Sequence, residues 1–344
     1  MDNSTTPIRP EIAQARATRG GIPEILQREP DLSLLDSPKI TVITIGYNNG
    51  PYLRDTLNSI LNQTYKNFEC IVMDGGSKDE TVSILKEYPN VRWVSEKDSG
   101  TLDAMWKALK MAKGEYIMSC YVTDGYLDQD WLKKCAEALD NNPEVSLVWG
   151  LPQYLLEDGT LGEISYEQFF GDLPPQREEF IYYWLTTHFA LPEGNVCARK
   201  NVFEQCMITD LKSVENYWLE LSYRFFSKGY LPYFIPSVAN FGRRHPNSSI
   251  YKKSDLIMLR QGEKIYHQKV NQFRKKLEKT PFTYQYINFQ GEKLPYVFSL
   301  KKHYQVKAAH RRTLSYLIKS NIKKILPTSL KLAVQKYITK SISQ

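Results

Sequence analysis

No segment of the chain approaches the roughly 18 consecutive apolar residues that a membrane-spanning helix needs. The opening stretch, MDNSTTPIRPEIAQARATRGG, also lacks the apolar core of a secretory leader. A protein that is neither secreted nor transmembrane is therefore expected. Cysteine is scarce: Cys70, Cys120, Cys135, Cys197 and Cys206 form an odd set without close metal-type spacing. A disulfide framework is not expected from such a set, and because Cys70 and Cys120 fall in apolar runs, reduced and buried thiols in a cytosolic protein are. Acidic residues are missing altogether from residues 301–344, where eleven Lys or Arg stand. With a net charge of +7 overall and +11 in that stretch, residues 1–300 carry −4. A nucleic-acid enzyme more often spreads its positive charge over the working face, so no nucleic-acid partner is expected. The asymmetry points instead to a tail that meets an anionic surface. Internal repeats are absent as well.

What is present is a regular alternation. Residues 1–37 are polar, carry Gly20-Gly21 and show no sustained period, which reads as a mostly unpacked arm. Ile40 to Ile45 is strongly β-branched and suits a strand buried on both faces. A turn at Gly46 to Gly50 leads into a helix with Pro51 in its first turn and Leu53, Leu57, Ile60 and Leu61 on one side. Phe68 to Met73 is the next strand, followed by Asp74-Gly75-Gly76, and Ser77 to Glu80 has the spacing of a capping box. The short β-type run RWVS then meets Asp98-Ser99-Gly100, a helix with Leu102, Met105, Trp106, Leu109 and Met111 on its apolar side, and a strand from Glu115 to Tyr121. Strand and helix in alternation predict a doubly wound α/β sheet, whose ligands sit beyond strand ends. Asp98, Asp103 and Asp124 are thus candidates for one site.

Further along, a helix capped by Asp128 or Asp130 runs through Leu139, and Val145 to Trp149 is a strand. Glu157-Asp158-Gly159-Thr160 marks a hairpin, which makes the sheet mixed. Short elements follow at 180–185, 195–198 and 202–206, then a helix from Glu215 to Lys228, a strand from Tyr230 to Ile235, and a loop opened by Pro236 that carries Arg243-Arg244-His245. Beyond Tyr251 the chain reads as helix and then as the basic tail.

With these pieces in order, residues 39 to about 250 resemble glycosyltransferase family 2. The matching pieces are TVITIGYNN (41–49), LNSILNQTY (57–65), VMDGGSKD (72–79), DSGTLDAM (98–105) and KGEY (113–116). The resemblance implies a GT-A type doubly wound mixed sheet, with a Rossmann-like nucleotide-binding half (38–125), an acceptor half (126–250) and a helical extension ending in an amphipathic basic tail (251–344). It implies that Asp74 hydrogen-bonds the nucleotide base, although an Asp before two glycines also suits a plain turn. Thr44, Gly46, Tyr47 and Asn48 are expected in the same pocket, largely through backbone groups. Asp98, Gly100 and Asp103 are expected around the ribose and donor sugar, where acids are also favoured by the helix dipole. Trp106 replaces the small polar residue usual in that pattern.

In the resemblance Asp124 occupies the place of the metal-binding acidic motif. Here it stands alone in Tyr121-Val-Thr-Asp124, and a Mg²⁺ or Mn²⁺ ion held by one carboxylate plus substrate phosphates is the expectation. His245 is expected to complete the metal sphere, with Arg243 or Arg244 neutralising the leaving phosphates. For the base that takes the acceptor proton, ungapped counting from Gly229 puts Trp218 at the expected aspartate. Glu220 is preferred, with Glu215 next and Asp210 still open.

Together these expectations describe an inverting glycosyltransferase that uses a nucleotide sugar, a UDP-sugar first among them, and acts on a glycan or lipid-linked acceptor in surface polysaccharide assembly. Residues 305–344 would hold it to the inner face of the cell membrane. The alternative is a donor-binding but inactive scaffold. A nucleotidyltransferase is disfavoured because GYNNGPYL lacks the basic residue its phosphate loop would carry.

Overall fold

The computed structural model describes residues 38–165, 178–208, 216–245, 253–279, 284–287, 293–296, 299 and 301–305. The sheet starts with four mutually parallel strands: β1 (Ile40–Gly46), β2 (Phe68–Asp74), β3 (Arg92–Ser95) and β4 (Tyr116–Ser119). The β-branched run in β1 is buried along nearly its whole length and pairs residue for residue with β2, Ile40 opposite Phe68 and Gly46 opposite Asp74. β8 (Cys197–Arg199) joins β4 antiparallel, and β6 (Leu147–Leu155) joins β8 antiparallel. β9 (Pro232–Arg243) runs parallel to β6 and carries the two-residue β5 (Gly125–Tyr126) at its far edge, while β7 (Leu161–Ile164) forms the expected hairpin with β6. The strand order β3-β2-β1-β4-β8-β6-β9-β5 is that of a mixed sheet, as the sequence predicts.

Helices cover both faces. On one side α1 (Gly50–Leu61), α2 (Thr81–Leu85) and α4 (Trp131–Asn141) pack Leu53, Leu57, Ile60, Leu85 and Trp131 over Val42, Cys70 and Val72. On the other, α3 (Thr101–Met111), α5 (Glu178–Thr187), α6 (Lys200–Cys206) and α7 (Tyr217–Ser227) cover Ile43, Ile71 and Trp149. All five cysteines are buried free thiols. A long helix, α8 (Lys253–Lys279), sets Tyr266, Val270, Phe273 and Leu277 into that second core. Burying a side chain of this size stabilises by roughly 1.5–3 kcal/mol, so α8 is fastened to the body. After it comes an antiparallel pair, β10 (Tyr284–Ile287) and β11 (Lys293–Tyr296), where the sequence had suggested helix and tail alone. The arm at 1–37 and the tail from 306 lie outside the described residues.

Three local expectations are corrected. Pro236 does not end its strand: it is exposed at an irregularity, where the pairing steps from Trp149↔Phe234 to Leu151↔Val238, and a break in the ladder is where a strand tolerates proline. The strand expected at 145–149 and the first arm of the hairpin before Glu157 are one continuous β6, Leu147–Leu155. Ser77 caps no helix, because its hydroxyl bonds Asp74, and Asp79 instead accepts from Thr81 N at 3.1 Å and Gly50 N at 2.9 Å.

Candidate active site

Asp74 ends β2 and is buried, and its carboxylate is well supplied with donors: Ser77 N at 3.0 Å, the Ser77 hydroxyl, and Ser95 Oγ at 2.6 Å from the end of β3. Ser77 Oγ in turn accepts from Asn48 N at 2.7 Å, and Asn48 Oδ1 accepts from Lys78 N at 2.8 Å. Asn48 sits at φ 52, a left-handed conformation that Asn adopts more readily than most residues. One carboxylate thereby ties together the loops after β1, β2 and β3. Between those loops is a narrow crevice: a Cβ on Gly75 would lie 3.0 Å from Asp98 Oδ2 and 3.4 Å from the exposed ring of Tyr47. Asp98 Oδ1 accepts from Gly100 N at 2.8 Å, and Asp103 Oδ2 accepts from Ser99 N at 3.0 Å beside Lys107 at 3.3 Å. The Ser99 N–H foremost, with Lys107, holds the Asp103 carboxyl below its ordinary range. Gly100, at φ 115, precedes the first turn of α3. Trp106 packs against the core and donates Nε1 to Ile208 O at 2.6 Å. Thr44 is fully buried within β1 opposite Val72, so its side chain does not reach the crevice. Gly46 does mark the rim, since a Cβ there would collide with Val122 Cγ2 at 2.7 Å.

That contact leads to the Asp124 turn. Thr123 stands at φ 126, a strained conformation for a β-branched residue that persists only where its surroundings over-determine it. They do here. Thr56 Oγ1 receives Thr123 N at 3.3 Å and donates to Asp124 O at 2.6 Å, while Arg243 donates Nε to Thr123 O at 3.2 Å and its backbone N to Asp124 Oδ1 at 3.2 Å. The Arg243 guanidinium also pairs with Asp55 on α1 at 2.6 Å and lies over Tyr52. Arg243, expected at the phosphates, is therefore spent on bracing the turn, its charge offset by Asp55 before any ligand arrives. The Arg244 guanidinium lies 3.9 Å over the Tyr154 ring, and His245 is buried with its ring 4.9 Å from Tyr52.

Asp124 does not stand alone in space. The 3₁₀ turn Glu193–Asn195, just before β8, reaches the same sheet edge. A Cβ on Gly194 would be 2.7 Å from Asn240 Nδ2 and 3.5 Å from Asp124 Oδ2, so only glycine lets the segments close in. Burial pushes the Asp124 carboxyl up to about 6 against the Arg243 N–H and Thr123 hydroxyl. Burial first, then the Asp124 charge, pushes Glu193 up to about 8. Glu193 was missed in the sequence, where a lone Glu after a proline carries no pattern. Pro192 beside a buried apolar run was the faint signal.

Glu220 is drawn elsewhere. Its two carboxylate oxygens are taken by Arg224 at 3.0 Å and by Lys269 of α8 at 2.5 Å, and no partner in that cluster touches Asp124. Both of its oxygens are thus engaged in ion pairs on the α7–α8 side. Glu215 and Asp210 lie outside the described residues. Asn216 caps α7, accepting Leu219 N at 3.1 Å. Among the described residues no group of three or more His, Cys, Asp or Glu is gathered to hold a metal. A single carboxylate such as Asp124 still fits Mg²⁺ or Mn²⁺, which keeps few protein ligands when phosphates supply the rest.

Residues 41–198 match the family model described as glycosyl transferase family 2. These residues are a family 2 glycosyltransferase domain. Over 120 residues the chain is 34% identical to a glycosyltransferase of Mycobacterium tuberculosis, covering 34% of this chain and 46% of that one. Over 144 residues it is 28% identical to a poly-β-1,6-N-acetyl-D-glucosamine synthase of Staphylococcus aureus, covering 41% of this chain and 35% of that one. The chain thus spans less than half the length of these curated relatives. A mannosyltransferase of Pyrobaculum calidifontis, solved with GDP-mannose and Mn²⁺, superposes with a TM-score of 0.53 at 15% identity over 96% of this chain and 87% of its own. The glycosyltransferase domain therefore has the GT-A fold that the sequence pieces imply.

Proposed function

We propose that the protein is an inverting glycosyltransferase that moves a sugar from a nucleotide-sugar donor to a hydroxyl of a glycan or lipid-linked acceptor. The observation that carries this reading is the desolvated Asp124 carboxyl, placed by a strained and braced turn beside the rim of the Tyr47–Gly75–Asp98 crevice. In this reading the crevice takes the nucleotide, with Asp74 fixing the loops and the base, and Asp98 and Asp103 facing the ribose and sugar. Asp124 would hold a divalent cation, which when bound supplies positive charge for the departing diphosphate. Family resemblance and the Mn²⁺-bound mannosyltransferase neighbour support the fit. The acceptor oxygen attacks the anomeric carbon from the face opposite the diphosphate, in one displacement.

The expected attachment to the cytoplasmic face of a membrane rests on residues 305–344, whose Lys and Arg each contribute about 1 kcal/mol near an anionic leaflet. No helix among the described residues is long and apolar enough to cross a membrane. The function is tested by incubating the full chain with UDP-, GDP- and dTDP-sugars in Mn²⁺ and measuring nucleoside diphosphate release. Release that EDTA abolishes supports the reading. Binding of a donor without release by any of them turns the protein into the scaffold considered above. Truncation after Tyr304 is expected to free the protein from anionic liposomes while donor hydrolysis continues.

A further inference from the structure

We infer that Glu193 is the carboxylate that receives the acceptor proton, in place of Glu220 or Glu215. The inference rests on the glycosyl-transfer reading of the site and assigns the residue that reading leaves open.

Position is the first support. The nucleotide half occupies β1, β2 and β3, on one side of β4, and Glu193 precedes β8 on the other side. Because β8 runs antiparallel to β4, with Met118 opposite Cys197, the turn before β8 rises at the same edge as the loop after β4. An acceptor arriving from the side away from the nucleotide meets Glu193 as it meets the sugar.

Rigidity is the second. Leu191 O accepts from Trp218 Nε1 at 2.7 Å, Glu193 O accepts from Ser119 Oγ at 3.1 Å, and Asn195 donates Nδ2 to Gly150 O at 2.9 Å and Asn240 Oδ1 at 2.8 Å. Asn195 is fully buried, and its amide joins β6 to β9. Two residues of the turn and Leu191 just before it are thus fixed from four elements, which holds a side chain in place at little entropic cost when substrate binds. Availability is the third. No hydrogen-bond donor among the described residues engages the Glu193 carboxyl; the bond that this residue does accept goes to its backbone carbonyl. Asp74, Asp98 and Asp103 each accept bonds from their own loops, and Glu220 is held between Arg224 and Lys269. Asn216, at the head of α7, is an amide and accepts no proton.

In the step assigned, the acceptor O–H bond breaks and its proton passes to a Glu193 oxygen. The acceptor oxygen forms its bond to the anomeric carbon, and the bond from that carbon to the diphosphate breaks, with its electron pair leaving on the phosphate oxygen. Proton and charge balance without a further reactant.

The test compares the full-length wild type with Glu193→Gln, Glu193→Asp and Glu220→Gln, using the donor sugars above with water as acceptor and calorimetric binding of the nucleoside diphosphate with Mn²⁺. Glu193→Gln is expected to lose at least about a hundredfold in turnover, the scale of general-base catalysis, with nucleotide affinity within threefold of wild type. Glu193→Asp, which withdraws the carboxylate by one methylene, is expected to lose about tenfold and serves if the Gln variant does not fold. Glu220→Gln is expected to stay within threefold in both measurements. Turnover by Glu193→Gln or Glu193→Asp at the wild-type rate overturns the inference. So does a loss of nucleotide affinity that accounts for the whole loss of turnover. A wild type that binds donors but releases no diphosphate instead overturns the glycosyl-transfer reading, and this inference with it.

Discussion

The two halves of the sheet treat their acidic residues in opposite ways. In the nucleotide half Asp74 accepts three hydrogen bonds, and Asp98 and Asp103 each cap a neighbouring N–H. Across β4 burial outweighs the hydrogen bonds: Asp124 accepts only at 3.2 and 3.3 Å, from Arg243 N and the Thr123 hydroxyl, and its carboxyl and that of Glu193 both rise because burial disfavours their charge. Acids of the first kind shape loops and keep a pocket open before anything binds. Acids of the second kind are held at a cost and gain when a cation or a proton arrives, which is how reacting groups are commonly set.

The sharpest way to break this contrast is Asp124→Asn, which keeps the shape and removes the charge. Turnover is expected to fall by about 10²–10³-fold, the scale of losing one preorganised electrostatic group at the reacting centre, with the melting temperature unchanged or raised. A variant that keeps more than a tenth of wild-type release removes Asp124 from the site. Arg243→Ala comes next. It strands Asp55, frees the Thr123 carbonyl and leaves the φ 126 residue with only the Thr56 hydroxyl as a brace. A loss of roughly tenfold to a hundredfold in turnover is expected, partly restored in Arg243→Lys, which keeps the charge facing Asp55 but not the fork. Equal loss in the two variants would show that the guanidinium geometry is what matters.

Much of the nucleotide half was legible because its signals are local. The β-branched run of β1, the Asp-Gly-Gly after β2 and the DSGTLDAM start of α3 each announce a turn or strand within ten residues. The braces were not legible. Asp55 and Arg243 are paired across 188 positions, and nothing in either neighbourhood marks it. Glu193 is likewise brought to Asp124 only by an antiparallel strand inserted between β4 and β6. The ion pairs of Glu220 were hidden for the complementary reason: a carboxylate on a helix face looks available until α8, whose path the sequence does not give, delivers Lys269 to it.

Asp74→Ala sharpens the other side of the comparison with a smaller effect. It removes a charged acceptor from three donors, and charge-assisted bonds contribute about 1.5–3 kcal/mol. Nucleoside diphosphate affinity measured by calorimetry is expected to drop about tenfold as the three loops loosen. Unchanged affinity would mean that the loops hold without it and that Asp74 has no part in binding.

The smallest effect separates the two kinds of acid by stability alone. Glu193 is pushed from its ordinary 4.5 up to about 8, so the folded protein binds a proton that the unfolded chain has released across that window. Stability then falls as pH rises from about 4.5 to 8, because the folded state must give up a proton it holds more tightly than the unfolded one does. Glutamine cannot ionise and escapes the loss. The Asp124 titration, which runs from 3.8 to about 6, is common to both proteins and drops out of the difference to first order. Glu193→Gln is therefore expected to melt with the wild type near pH 4 and above it near pH 8. The gap should open steadily as pH rises through that window, and its sign and growth are what the measurement reads. Melting curves in metal-free buffer at intervals of one pH unit measure it. A gap of constant size across the range would mean that the Glu193 carboxyl is solvated rather than held dry beside Asp124.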